Sequence, residues 1–282
     1  MPTTVPTEII RPPPKLVGRK VCLFVSYSSV GAIKPHVAFH LKEIKKCGFA
    51  TVLMLVTDEP KLASSGLLPT DHALILRRNA GFDFGGWADA FRLFPDLWHS
   101  QCVLLVNDSI FGPMTDLRPT MASALDAPAD LVGLTQSTQK KFHLQSFFLL
   151  MKQAALSNPE VQLFWDQVRN LTTKQEVIDT YEINLTSFFK KNGLKTKAVF
   201  PLKDFRIVSA NPSIKLWSVL LNAGFPYIKI ELFRELIGPE AWLQHKILFH
   251  NRRIVKLIDD YIEKNVPLHR KHCPPRTDDR AI

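Results

Sequence analysis

The sequence predicts an α/β chain, with a mostly parallel sheet flanked by helices and a helix-rich C-terminal part. Three observations predict it. Short continuous apolar runs, at 21–26 (VCLFVS), 51–56 (TVLMLV) and 102–106 (CVLLV), read as strands covered on both faces. Stretches with the 3.6-residue spacing of helices stand between or after them. Turn-length polar stretches join the two kinds, which is the pattern of a sheet built by crossovers.

Taken in order, residues 1–20 are polar, carry Pro12, Pro13 and Pro14 in a row, and are expected to form an extended arm. Residues 21–26 are the first strand. Residues 35–46 have helical spacing, with Val37, Leu41 and Ile44 on one side, and Gly48 ends the helix. Strands are expected at 51–56, 72–76, 102–106 and 130–134, and helices at 87–94 and 117–125. Residues 142–151 are apolar and aromatic and read as one strand. Residues 161–169, 182–191, 214–222 and 241–249 follow helical spacing, and 197–200 reads as a further strand. From Pro267 the apolar content is lost and a loose tail is expected. One domain over residues 21–266 accounts for the rest.

Composition sets the outer limits. The chain has 282 residues, 46% hydrophobic and 22% charged, as in ordinary globular proteins. A chain of this length buries a core without staples, which excludes disorder, collagen and a disulfide scaffold as whole-chain readings. No apolar stretch approaches the ~20 residues of a bilayer span. The N-terminus lacks the basic start and apolar core of a secretory signal. Cys22, Cys47, Cys102 and Cys273 show no C-x-x-C spacing, and a reducing, cytoplasmic setting is expected. The net charge of +10 suits nucleic acid, an anionic membrane face, an anionic substrate or a plain solvated basic surface. No helix-turn-helix, RRM or zinc-finger signature occurs, so no nucleic-acid partner is expected. Hydrolase chemistry has no support without a G-x-S-x-G. His36 and His40 stand four apart, with no H-E-x-x-H between them.

In parallel sheets ligands bind beyond the carboxyl ends of the strands. Polar residues just after strands are therefore the candidates: Ser26 and Tyr27, Asp58, Asn79 with Gly81, and Asn107 with Asp108. Four stretches stand out. Residues 78–87 hold three glycines, Asn79 and Asp83 between a strand and a helix. They read either as a tight turn with Asp83 capping the helix or as backbone that approaches a ligand closely. Asn107-Asp108-Ser109 ends a buried strand, either as an Asx turn or as a hard-oxygen site for Mg²⁺ or Mn²⁺. His143, Gln145 and Ser146 are polar in an apolar run, satisfied internally or lining a sugar site. Glu182 stands at a helix start, as a favourable charge on the dipole or as a general base.

The order of these stretches resembles the rhamnan synthesis protein F family of bacterial polysaccharide assembly. The resemblance rests on Asn79-x-Gly81-x-Asp83-Phe84-Gly85-Gly86-Trp87, then Asn107-Asp108-Ser109 with Gly112-Pro113, then Gly133-Leu134-Thr135. It continues through His143-Leu144-Gln145-Ser146, Tyr181-Glu182-x-x-Leu185-Thr186, Asn211-Pro212 and Gly224-Phe225-Pro226-Tyr227-Ile228-Lys229, covering roughly residues 20–235.

The resemblance implies a divergent GT-A fold and an inverting glycosyltransferase, commonly a rhamnosyltransferase, of cell-surface polysaccharide or O-antigen synthesis. The donor would be dTDP-rhamnose or another nucleoside diphosphate sugar. It would bind in the half spanning 21–136, through Ser26, Tyr27, Asp58, Asn79, Gly81, Asp83, Asn107 and Asp108. The acceptor half, 137–266, would bring His143, Gln145 and Ser146 to the sugars and Glu182 as catalytic carboxylate. Asp108 falls where a D-x-D motif usually stands, with Asn107 and Ser109 in place of the flanking carboxylates. Either Asp108 holds a divalent ion (Mg²⁺ or Mn²⁺) together with substrate phosphates and water, or basic groups neutralise the diphosphate instead. The acceptor would be a lipid-linked glycan at the inner face of the cytoplasmic membrane, where a basic protein gains peripheral contact with anionic lipid. An inert sugar-binding or scaffolding member of an assembly complex is the alternative.

Overall fold

The structure, a computed structural model, describes residues 5–59, 61–62, 71–201, 211–236, 239–247, 249 and 251–265. The chain opens with Thr7–Arg11 (β1), Lys20–Ser28 (β2), Pro35–Lys46 (α1), Ala50–Thr57 (β3), Ala73–Arg78 (β4) and Phe82–Leu93 (α2). Cys102–Asn107 (β5), Ile110–Phe111 (β6), Leu117–Asp126 (α3), Leu131–Gly133 (β7), Gln136–Ser137 (β8), His143–Leu144 (β9) and Phe148–Lys152 (β10) follow. Then come Gln153–Leu156 (α4), Pro159–Gln167 (α5), Lys174–Val177 (α6), Ile183–Lys191 (α7) and Thr196–Ala198 (β11). Pro212–Lys215 (α8), Trp217–Asn222 (α9), Ile228–Lys229 (β12), Pro239–Lys246 (α10) and Arg252–Asn265 (α11) complete the described elements.

Eight strands form one sheet in the order β1-β4-β3-β2-β5-β10-β7-β11. The central four, β4-β3-β2-β5, are mutually parallel. β10 runs antiparallel between β5 and β7, β11 pairs with β7 in parallel, and β1 caps the far edge antiparallel to β4. The α/β class with a mostly parallel, helix-flanked sheet is the one the sequence predicts. After β2 the chain adds strands on one side, β3 then β4, and then crosses back to lay β5 on the other side of β2. Crossovers leave β2 in opposite directions, so the ends of β2 and β5 mark the topological switch point, the place where ligands of open α/β sheets commonly bind.

Pleating divides the core. Val21, Leu23 and Val25 of β2 face one way, into a cluster with Phe84, Trp87 and Phe91 of α2, Trp165 of α5 and Phe189 of α7. Cys22 and Phe24 face the other way, onto Val37, Leu41 and Ile44 of α1 and Met121 of α3. A third cluster joins Phe39 and Phe111 to Trp242 and to the apolar stripe Ile254, Val255, Ile258 and Ile262 of α11. Among the described residues no helix is long and apolar enough to cross a membrane.

Several expectations are revised. Residues 7–11 of the Pro-rich lead are a strand, bonded to β4 from Thr7↔Arg77 onward. α2 starts at Phe82, not 87. Glycines argue against a helix, yet Gly85 and Gly86 lie inside it, because a β-carbon on Gly86 would stand 2.9 Å from Val25 Cγ2. The run 142–151 is two strands, since the amide of Gln145 turns to Thr135 O (3.0 Å) and that of Ser146 to Glu182 Oε1 (3.0 Å). Helical structure ahead of 182 begins at Lys174, behind a capping box of Thr173 and Glu176, and passes through a π turn at Ile178–Glu182. Glu182 is thus inside a continuous helical stretch, and the charge–dipole reading of a helix start does not hold for it. The segment 214–222 is divided into α8 and α9. Helix α11 escaped the sequence reading altogether. The tail from Pro267, with Cys273, lies outside the described residues.

Candidate active site

The site begins with a buried arginine. Arg77, near the end of β4, is 0% exposed. Its Nε donates to Asp89 Oδ2 on α2 at 2.7 Å, and Nη2 donates to Asn170 Oδ1 at 2.8 Å. Nη1 donates to the carbonyl of Ala80 at 2.5 Å. These bonds hold the 79–82 turn in a left-handed path, with φ +66° at Gly81 and +54° at Phe82. Such a conformation at a bulky residue stores strain of roughly 1–3 kcal/mol, as functional loops often do. Asn170 packs where a β-carbon on Gly81 or Gly85 would lie, so both positions require glycine.

Leaving this turn, Phe84 stacks on Tyr181 at 5.5 Å between centroids and 22° between planes, and on Trp165 at 5.8 Å. The stack leaves their chain neighbours, Asp83 and Glu182, in electrostatic reach of each other although they are far apart in sequence. Asp83 Oδ2 accepts from Asn107 Nδ2 at 2.7 Å, and Oδ1 accepts from the Phe84 amide at 3.0 Å. Burial pushes the Asp83 carboxyl up to about 6, Glu182 adds to the rise, and the two donors oppose it. Lys229 of β12 joins the group. Its ammonium lies 5.3 Å from the Phe147 ring centre, and burial lowers its pKa while Glu182, Glu231 and Asp83 oppose that. β12 is placed by pairing with β6, Lys229 opposite Ile110, and by Ile230 N donating to Ser109 O at 2.9 Å.

A second group lies at the β2 and β5 ends. Asp108 Oδ2 accepts from Ser26 Oγ at 2.8 Å and from Lys34 Nζ at 2.7 Å. Asn107 Oδ1 accepts from the amide and hydroxyl of Ser109 at 3.1 and 2.7 Å. His36 is pushed down to about 4 by burial, with Asp108 opposing and Lys34 and Arg234 reinforcing the fall. Among the described residues no group of three His, Cys, Asp or Glu side chains could hold a metal ion. Asp108 Oδ2 already carries an ammonium and a hydroxyl, so a divalent ion on that oxygen would have to displace Lys34.

A third group is exposed. Tyr27 OH donates to Asp58 Oδ2 at 2.6 Å. Bonds from Tyr27 and then from Asn79 hold Asp58 below the usual carboxylate range, and the same bond raises Tyr27.

Of the predicted residues, Asp83 bonds Asn107 and lies in electrostatic reach of Glu182, which accepts the Ser146 amide. Ser26 meets Asp108, and Tyr27 meets Asp58 and Asn79. Gln145 Nε2 donates to Asn211 Oδ1 at 2.7 Å. His143 is engaged locally, its Nδ1 on Lys141 O at 2.7 Å. The sequence reading missed Arg77, Lys34, Lys229 and the bracing role of Asn170. The one signal for Lys229 was its place in the 224–229 string; Lys34 had none.

Fold and site together define an α/β protein with polar, carboxylate-bearing groups at the switch point of its parallel strands. The sequence profile of rhamnan synthesis protein F matches residues 58–268, and the chain belongs to that family. The protein y4gN of Sinorhizobium fredii is 28% identical over 138 residues, 47% of this chain and 36% of that protein. The chain thus spans about a third of that relative. Virulence protein VirA of Vibrio anguillarum is 25% identical over 216 residues, 65% of this chain and 69% of its own. Among solved structures, HddC from Yersinia pseudotuberculosis overlaps with a TM-score of 0.37 and 11% identity, over 65% of this chain and 90% of its own. A glycosyltransferase involved in glycosylation of the major capsid of PBCV-1 gives 0.38 and 9%, over 74% and 94%. Overlaps of this degree decide neither activity nor ligand.

Proposed function

We propose that the protein is an inverting glycosyltransferase of GT-A type that takes its sugar from a nucleoside diphosphate donor. The observation that carries this reading is the Asp83–Asn107 bond at the end of β5, with Glu182 in electrostatic reach of Asp83 and accepting the Ser146 amide. Membership of a rhamnan synthesis family supports sugar transfer and makes a rhamnosyl donor such as dTDP-rhamnose the first to try. The donor lies across the ends of the central strands, with its base and ribose near Tyr27, Asp58 and Asn79. Its sugar and phosphates rest on the 79–83 turn and the end of β5. Glu182 takes the proton of the acceptor hydroxyl. The acceptor oxygen bonds to the anomeric carbon, the bond from that carbon to the phosphate oxygen breaks, and its electron pair leaves with the nucleoside diphosphate. Gln145 and Ser146 flank the acceptor side, in the turn that follows His143.

The acceptor is a lipid-linked glycan, and the +10 charge favours the anionic inner membrane face of a cytoplasmic protein. Equal binding to neutral and anionic vesicles would contradict that placement.

Thermal-shift titration with dTDP, UDP, GDP and their sugars tests the reading. One nucleotide family is expected to raise the melting temperature. A ligand at 100 times its dissociation constant adds about 2.7 kcal/mol of stability. No shift with any of them would favour an inert sugar-binding or scaffolding protein.

A further inference from the structure

We propose that the protein binds its donor diphosphate without a divalent ion, on the Lys34 ammonium at the N-terminus of α1. This rests on the transferase reading above. Asp108 stands at the strand end where a metal-bridging carboxylate would serve, yet its Oδ2 is 2.7 Å from Lys34 Nζ and 2.8 Å from Ser26 Oγ. Its neighbours are engaged with protein, Asn107 with Ser109 and Asp83. A positive charge therefore already occupies the place, supplied by the chain.

Three features make that place suit an anion. Lys34 is the residue from which α1 starts, so its charge adds to the helix N-terminal partial charge. His36, in the first turn of α1, is only 7% exposed, and its Nε2 has no hydrogen-bond partner among the described residues. Arg234, whose Nε donates to Tyr261 OH at 2.7 Å, adds a second positive charge that acts on His36. In the transfer step, the electron pair released to the phosphate oxygen meets the Lys34 ammonium, which Asp108 holds in position.

Calorimetric titration of the full chain with dTDP, UDP and GDP, in excess EDTA and in Mn²⁺ or Mg²⁺, tests this. The nucleotide that binds is expected to bind equally well in EDTA. Lys34→Met is expected to weaken it about 10- to 100-fold, the factor for one charge-assisted hydrogen bond. Lys34→Arg, which keeps the cation, is expected to weaken it much less, and Asp108→Asn less than Lys34→Met. Lys34 is part-exposed, and unchanged circular dichroism of each variant shows that the fold is retained. Binding that requires a metal ion, or that Lys34→Met leaves unchanged, overturns the inference and leaves the transferase reading standing. Absence of binding under every condition overturns both.

Discussion

Replacing Arg77 by methionine keeps roughly the side chain's length and removes its charge and five donors. Asp89 then loses the 2.7 Å bond to Nε, while Arg92 Nη1 still holds its other oxygen at 2.7 Å. The Ala80 carbonyl and Asn170 Oδ1 lose a donor that water cannot readily replace, since Arg77 is fully buried. Breaking a buried pair from one side costs about 3–5 kcal/mol. Arg92 lowers that figure, and the donor lost to the Ala80 carbonyl and Asn170 Oδ1 roughly offsets the lowering. The expected loss is about 3–5 kcal/mol, a large share of the ~5–15 kcal/mol that stabilises a typical domain. Urea unfolding measures it. Arg77→Lys keeps the charge but not the fork and is expected to fall between methionine and wild type. Asp89→Asn in the methionine background is expected to recover part of the loss, because it removes the charge of a carboxylate left with one of its two cationic partners. An Arg77→Met protein within about 1 kcal/mol of wild type would refute the claim that this arginine organises the 79–86 turn.

Two further predictions concern the same core. Gly81→Ala places a β-carbon 2.8 Å from Asn170 Cα at a φ of +66°. Strain and overpacking together are expected to cost about 2–4 kcal/mol and to weaken donor binding, read by urea unfolding and nucleotide titration. Acid should destabilise the fold. Burial holds His36 and His72 down to about 4 and His40 to about 3, so below pH ~6.5 the unfolded chain takes up protons that the folded one refuses. Stability is full above that pH and falls toward pH 4, by up to about 1.4 kcal/mol per pH unit per histidine. Asp83, raised to about 6, opposes the trend by one proton. Urea midpoints from pH 7 to 5 that do not fall would contradict it.

The central sheet was legible because runs such as 21–26 and 51–56 are apolar at every position and have few other uses. α1 was legible to the residue, since Pro35 opens it and the Val37, Leu41, Ile44 stripe continues to Lys46. α2 was only half legible, because the glycines that let it lie against Val25 are the residues that argue against a helix. That Asp83 and Glu182 act on each other was invisible in either segment, and the order of motifs that marks the family only assigned them to the donor and catalytic parts of one transferase. The physical cause of their interaction, the Phe84–Tyr181 stack, joins residues almost a hundred apart. Lys34 and Lys229 were illegible for another reason. A lysine in sequence reads as solvated, and only neighbours from distant strands make it a site.

Glu182→Gln tests the account most directly. With the cognate nucleotide sugar and a lipid-linked acceptor, transfer is expected to fall about 10²- to 10⁴-fold, as for loss of a general base. Donor binding and melting temperature should stay near wild type. The Glu182 carboxylate oxygen that accepts the Ser146 amide has an amide counterpart in glutamine. Transfer at close to the wild-type rate would contradict the assignment of Glu182 as the base, and with it the mechanism built on that residue.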